Sequence, residues 1–319
     1  MIVLAGATAS GKSALALSIA ETLETRGVAA VLINADSMQV YRELRALTAR
    51  PGASDEARMP HRLYGIMPAA ETCSAERWRH LALNEIDAAT GAGKLPILVG
   101  GTGLYIRALL DGLAPVPEIP EAVRAAARAE FEALGSADFH RALASRDPAG
   151  AARIKVGDRQ RLLRAWEVLE ATGRPLAEWQ QADQGGLALP TLKILLEADR
   201  QALYERCDAR FDAMIEAGAL EEVRALSEAG LDAELPAMKA LGVPALFAHL
   251  AGEIDLEEAA RRAKQATRNY AKRQLTWFRH QYQPDLRVSA GADAVGACVE
   301  AVERFLLTEA GAGSRTGSL

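Results

Sequence analysis

The run Gly6-Ala7-Thr8-Ala9-Ser10-Gly11-Lys12-Ser13 follows the apolar stretch Ile2-Val3-Leu4-Ala5 and precedes the amphipathic stretch Ala14 to Thr22. Strand, glycine-bounded loop and helix in that order make a P-loop. The glycines let successive backbone N–H groups turn inward, the helix N-terminus adds a positive dipole end, and Lys12 supplies a mobile cation. The spacing predicts a diphosphate or triphosphate site formed by Gly6, Thr8, Ala9, Ser10, Gly11, Lys12 and Ser13, with the Ser13 hydroxyl on an accompanying Mg²⁺. It also predicts the fold class, α/β, with a P-loop NTPase-like doubly wound parallel sheet as the core.

A P-loop specifies phosphate without specifying chemistry. Proteins that hydrolyse or transfer a γ-phosphoryl group need a second acid at a strand end to hold the metal. The candidate strand Leu95-Pro96-Ile97-Leu98-Val99 runs instead into Gly100-Gly101-Thr102-Gly103, and no Asn-Lys-x-Asp base-reading signature occurs. The strand Ala30 to Asn34 does lead to an acid, in Asp36-Ser37-Met38-Gln39-Val40-Tyr41-Arg42. Strand carboxyl ends face the ligand crevice of an open parallel sheet, so Asp36 is the candidate general base. The alternative is an Asp that only caps its own turn.

Four motifs occur in order: Gly6 to Ser13, Asp36 to Arg42, Gly100-Gly-Thr-Gly-Leu-Tyr-Ile-Arg107 and Lys272-Arg-Gln-Leu-Thr-Trp-Phe-Arg279. Together they resemble the tRNA dimethylallyltransferases, or tRNA isopentenyltransferases, as far as about residue 280. Departures are small: Ala7 stands where many members carry Pro, and Met38-Gln39 replaces the Ala-Leu of some bacterial members. The second change bears on contacts to the target nucleotide.

The resemblance implies dimethylallyl diphosphate as donor and Mg²⁺ as cofactor. The acceptor is the tRNA anticodon stem-loop, at the adenosine 3′ to the anticodon (position 37), in tRNAs reading codons that begin with U. It implies catalytic roles for Asp36, Thr102 and Arg210, and tRNA contacts from Asp36, Ser37, Met38, Gln39, Thr102, Arg124, Gln160, Arg161, Leu162, Leu163, Arg164, Lys239, Lys272, Arg273, Gln274, Thr276, Trp277 and Arg279. The target base must leave its stack, at a cost of a few kcal/mol, before its exocyclic amine can attack. Thr102 has a plainer alternative as the cap of a helix over Leu104 to Leu110.

Arg206 and Arg210 share a face of the expected helix Arg200 to Ala217, and Glu205, Asp208 and Asp212 are available to pair with them. Arg261, Lys264, Arg268 and Lys272 recur at helical spacing, with Arg262, Arg273 and Arg279 nearby and no acid between Glu258 and Asp285. Such a stripe suits phosphates although the net charge is −5, the alternative being a plain solvated helix face. Tyr270, Trp277 and Phe278 either pack inward or stack on a base. A second stripe is Arg153, Lys155, Arg159, Arg161 and Arg164, around a helix Arg159 to Thr172 started by Asp158.

That second stripe lies in an Ala-, Glu- and Arg-rich stretch with helical periodicity and no strand. The expected division is therefore a discontinuous core of 1–114 and 187–310, an inserted all-helical tRNA-binding subdomain of 115–186, and a disordered tail of 311–319. The resemblance implies that the insertion clasps the anticodon arm. Strand character resumes at Thr191 to Leu196.

The amino-terminal residues join the P-loop strand directly and no apolar run approaches bilayer length, so a cytoplasmic protein with no membrane association is expected. Cys73, Cys207 and Cys298 are isolated and the five histidines scattered, which supports neither a disulfide framework nor a zinc site. No heptad suggests an oligomer, and a monomer is expected. Three other classes share parts of this pattern: a nucleoside or small-molecule kinase, a non-enzymatic nucleotide-dependent RNA-binding protein, and an isopentenyltransferase acting on free adenylate.

Overall fold

The computed structural model describes residues 1–182 and 185–315. The chain divides into two compact units, one of Met1–Leu109 with Ala188–Leu319 and one of Leu110–Leu187. The helices are α1 (Lys12–Thr25), α2 (Ala53–Arg58), α3 (Ala75–Gly91), α4 (Gly103–Leu110), α5 (Glu121–Arg146), α6 (Pro148–Ala151) and α7 (Arg159–Thr172), then α8 (Leu176–Trp179), α9 (Arg200–Glu216), α10 (Ala219–Glu228), α11 (Val243–Leu250), α12 (Leu256–Gln281) and α13 (Ala294–Arg315). None is long and apolar enough to cross a membrane, among the described residues.

In the larger unit, β1 (Ile2–Gly6), β2 (Ala30–Asn34), β3 (His61–Arg62), β4 (Leu95–Gly100), β5 (Leu192–Glu197) and β6 (Leu286–Ser289) form one sheet. Its order is β3-β2-β4-β1-β5-β6, with every pair parallel. A parallel sheet is buried on both faces, which is why β1, β2 and β4 are continuous apolar runs without alternation. Alternate residues Ile2, Leu4, Leu32, Ile97, Val99, Ile194 and Leu196 pack with Leu15, Ile19 and Leu23 of α1 and with Cys298, Val299 and Val302 of α13.

The register pairs Ala5 with Gly100, Gly6 with Leu196 and Asn34 with Val99. The carboxyl ends of β1, β2, β4 and β5 thus share one edge. The chain order reverses about β1, the place where open parallel sheets form their ligand crevice.

The smaller unit has its own core, in which Phe131 and Phe139 of α5 meet Trp166 of α7 at centroid separations of 5.0 and 4.8 Å along the row. α5 breaks at Gly135, whose φ of 72° is open to glycine. Asp158 Oδ1 accepts the Arg161 N–H at 3.2 Å and so starts α7, and Gly173 in the left-handed region ends it. No strand occurs in this stretch among the described residues.

The tail departs from expectation. α13 runs to Arg315, past the glycines at 311 and 313, and its Cys298, Val299, Val302, Phe305 and Leu306 pack with the sheet. Residues 316–319 of the expected tail lie outside the described residues.

Candidate active site

The loop from β1 to α1 turns through left-handed Ala9 (φ 58°) and Gly11 (φ 94°). For Ala9 this costs about 1 kcal/mol, offset in part by Arg206 Nε of α9, which donates to the Ala9 carbonyl at 2.9 Å. No side chain caps the start of α1, so its leading N–H groups have no partner within the helix. Lys12 is 9% exposed and its Nζ donates to the Ala7 carbonyl at 3.3 Å.

Burial lowers the Lys12 pKa from 10.5 to about 8; Asp36 opposes the fall and Arg210 adds to it. Burial also lowers the pKa of Arg210, again opposed by Asp36. Arg210 Nη2 donates to the Thr48 carbonyl at 2.9 Å, while its Nε and the Ser10 hydroxyl are buried without partners among the described residues. An uncapped helix N-terminus, a desolvated ammonium and two orphaned polar groups suit a multivalent anion with several acceptor oxygens.

At the end of β2 the backbone of Asp36 is fixed by Asn34, which is fully buried. Asn34 Oδ1 accepts the Asp36 N–H at 2.8 Å, and Nδ2 donates to the carbonyls of Asp36 (2.9 Å) and Leu63 (3.1 Å). Trp78 Nε1 in turn donates to the Asn34 carbonyl at 3.0 Å. Asp36 Oδ1 accepts the Met38 N–H at 2.9 Å, so the turn-capping geometry is present. No donor among the described residues reaches Oδ2, which remains available to a ligand. Asp36 also acts electrostatically on Lys12, Arg210, Tyr64 and Tyr270, which places these groups around one carboxylate.

Thr102 precedes α4 and its carbonyl accepts the Tyr105 and Ile106 N–H groups, but its side chain is used elsewhere. Its Oγ1 accepts the Ser37 N–H at 3.0 Å and lies 3.4 Å from the Ser37 hydroxyl, joining the ends of β2 and β4. A Cβ on Gly101 would lie 2.4 Å from Gln274 Nε2 and 2.7 Å from the Gly6 carbonyl, and one on Gly103 2.4 Å from the Trp277 ring. The glycines after β4 therefore make room for side chains of α12.

Several sequence expectations need correction. Gln274 is 5% exposed and both ends of its amide bind backbone: Oε1 accepts the Thr8 N–H at 2.8 Å and Nε2 donates to the Gly101 carbonyl at 2.7 Å. Its amide is a strap inside the site, and it takes the Thr8 N–H away from a phosphate. Gln39 is 8% exposed, with Nε2 donating to the carbonyls of Thr48 (3.0 Å) and Ala49 (3.3 Å). Leu162 and Leu163 are core side chains of the smaller unit, whereas Gln160 and Arg161 are exposed. Arg164 is partly buried beside Glu167, and Arg124 has a buried Nε without a partner among the described residues.

The basic stripe of α12 is largely neutralised. Arg261 and Arg262 both pair with Glu258, Lys264 pairs with Asp212 at 2.6 Å and Arg268 with Asp208 at 2.5 Å. The acids of α9 are thus used by α12, which leaves Arg206 and Arg210 to face the P-loop and the 36–50 segment. Lys272, Arg273 and Arg279 are exposed with no acid partner among the described residues, and Arg273 sits over the Tyr270 ring. Lys239 pairs with Glu234 at 2.9 Å and Thr276 bonds the Lys272 carbonyl. Trp277 is partly buried against Phe278 and Tyr282, and Phe278 is core.

Sequence reasoning missed Asn34 and Tyr64 as neighbours of Asp36. The Asn-Ala-Asp run at the end of β2 is a usable signal for the first, since an Asn there can bond the backbone two residues on.

A family model described as "IPP transferase" matches residues 39–281. The tRNA dimethylallyltransferase of Rhodospirillum centenum is 56% identical over 309 residues, covering 96% of this chain and 95% of that one. That of Paramagnetospirillum magneticum is 53% identical over 289 residues, covering 90% of each. Among solved structures, the tRNA isopentenylpyrophosphate transferase of Bacillus halodurans is similar with a TM-score of 0.71 at 29% identity, covering 98% of both chains. A eukaryotic dimethylallyltransferase acting on tRNA is similar with a TM-score of 0.80 at 25% identity, covering 97% of this chain and 79% of that one.

Proposed function

The chain belongs to the IPP transferase family, and from that premise we propose that it moves a dimethylallyl group from dimethylallyl diphosphate to the exocyclic amine of the adenosine 3′ to the tRNA anticodon. The observation that carries this reading is the position of Asp36. Its unpartnered Oδ2 belongs to the same charge cluster as the buried Lys12 and Arg210.

The diphosphate rests on the leading N–H groups of α1, with Lys12 and the Ser10 hydroxyl beside it and Arg210 completing the cradle. Asp36 accepts a hydrogen bond from the adenine amine. As the N6–C1 bond forms and the allylic C1–O bond breaks, the carboxylate takes the proton and the electron pair leaves on diphosphate. Lys12, Arg210 and the loop amides stabilise the negative charge that grows there. Thr102 fixes the Ser37 N–H and so the turn that presents Asp36. Gly100 stands where a kinase would carry its second acid, which disfavours ATP as the occupant.

A divalent cation fits this donor set. Ser13 is exposed at the start of α1, and no group of three His, Cys, Asp or Glu able to hold a metal occurs among the described residues. Mg²⁺ keeps most of its water and takes few protein ligands, so the Ser13 hydroxyl and the diphosphate oxygens would hold it, and it would neutralise the leaving group. On this reading the protein works as a cytoplasmic monomer, with Lys272, Arg273, Arg279 and the helical unit on the tRNA.

The test is incubation with unmodified tRNA, Mg²⁺ and radiolabelled dimethylallyl diphosphate or radiolabelled ATP, followed by nucleoside digestion. Label from the diphosphate is expected on adenosine. No transfer from it, with ATP consumed instead, would sink the reading in favour of a kinase.

A further inference from the structure

Gln274 joins the two halves of the proposed site. On one side its Oε1 accepts the Thr8 N–H at 2.8 Å within the phosphate loop; on the other its Nε2 donates to the Gly101 carbonyl at 2.7 Å. Thr102, the next residue, accepts the Ser37 N–H at 3.0 Å, and Ser37 follows Asp36. The bridge therefore runs from the donor loop to the turn bearing the base without leaving protein atoms. Burial keeps water from replacing either amide bond, and the missing Cβ of Gly101 lets the amide seat. Tyr270, one helical turn earlier on the same face of α12, interacts with both Thr102 and Gln274 and closes the network from the side.

We propose that Gln274 is a positioning residue that couples the phosphate loop to the Asp36 turn, so that seating of the donor diphosphate and alignment of the base toward adenine are linked. The proposal rests on the donor and acceptor assignment above. An amide suits the task because one end must accept and the other donate; no ionised side chain does both. A shift of the Thr8 amide on diphosphate binding passes to Gly101 and Thr102 through bonds already made. Conversely, a filled acceptor site favours the donor-bound loop by the same factor.

The test measures tRNA affinity with and without dimethylallyl thiodiphosphate, a non-reacting donor analogue, together with kcat for the natural donor. In the unaltered protein the analogue is expected to tighten tRNA binding by about fivefold or more. Gln274→Met keeps the volume and removes both hydrogen bonds. It should bind each ligand alone within about threefold of the unaltered protein, lose the mutual tightening and lose about tenfold in kcat.

Gln274→Glu supplies a readout that simple packing does not move. Ionised, it accepts from Thr8 but repels the Gly101 carbonyl; protonated, it restores both bonds. Its kcat and coupling should therefore climb towards those of the unaltered protein as pH falls, and burial brings that protonation within reach.

Retained coupling and kcat in Gln274→Met would overturn the proposal. So would equal losses in both variants at every pH, which would make Gln274 a packing residue. An unaltered protein that binds both ligands without mutual effect overturns the proposal alone. One that fails to bind the analogue at all overturns the site assignment and the coupling with it.

Discussion

The side-chain amide of Asn34 holds the backbone of Asp36 at both ends, accepting its N–H at 2.8 Å and donating to its carbonyl at 2.9 Å. The direction of the Asp36 carboxylate is therefore set from beneath by a fully buried group. Asn34→Ala removes these bonds and the one to Leu63, orphaning buried backbone groups at a cost of about 2–4 kcal/mol. Thermal unfolding should show a lower Tm, and steady-state kinetics a kcat that falls more than the donor KM rises. Unchanged kcat in a folded variant would reduce Asn34 to a core residue.

Asp36→Asn separates the two functions of the aspartate. The amide oxygen can still accept the Met38 N–H that Asp36 Oδ1 accepts at 2.9 Å, so the turn should persist. The proton acceptor is lost. Prenyl transfer should fall by about a hundredfold or more while tRNA affinity stays within a few-fold. Filter binding and single-turnover transfer measure the two quantities, and full turnover would remove Asp36 from the mechanism.

Lys12 gives a pH dependence of definite sign. Its pKa lies at about 8 because burial disfavours the ammonium, so the empty site loses its cation as pH rises through that value. An arriving diphosphate favours the charged form. Donor affinity should fall above pH 8, and binding near pH 8 to 9 should take up a proton. Calorimetry in buffers of different ionisation enthalpy reads that uptake directly, and no uptake would contradict the desolvated state. The folded pKa lies below the unfolded one, so the unfolded chain binds more protons between about 8 and 10.5. Lys12 therefore adds to stability as pH rises through that window.

The parts of the fold legible in the sequence were those whose signal is local. β1, β2 and β4 are central and buried on both faces, so their apolar runs stand out, whereas β3 has two residues and β6 lies at the sheet edge. The P-loop and Asp36 were legible because chemistry fixes their position after a strand. The roles of Gln274, Gln39, Leu162 and Leu163 were not, since sequence names the residue while packing decides whether its side chain meets backbone, core or solvent. The α12 stripe failed for a related reason. No acid follows Glu258 along α12, yet Glu258 folds back onto Arg261 and Arg262, and Asp208 and Asp212 reach Arg268 and Lys264 from α9 in space.

That pairing separates two sets of basic residues that look alike in the sequence. Arg268 places one guanidinium nitrogen on both oxygens of Asp208, at 2.6 and 2.5 Å, in a partly buried setting. Arg268→Ala leaves Asp208 without its partner beside α12, so it should lower stability and change the salt dependence of tRNA binding little. Lys272 and Arg279 are exposed and have no acid partner among the described residues, so their charges are available to phosphates. Replacing either by Ala should weaken tRNA binding and reduce the slope of log affinity against log salt by about one per residue. Titrations at several salt concentrations, alongside thermal melts, distinguish the sets. A slope that falls for Arg268→Ala and not for Lys272→Ala would mean that the α9 acids release Arg268 when tRNA binds.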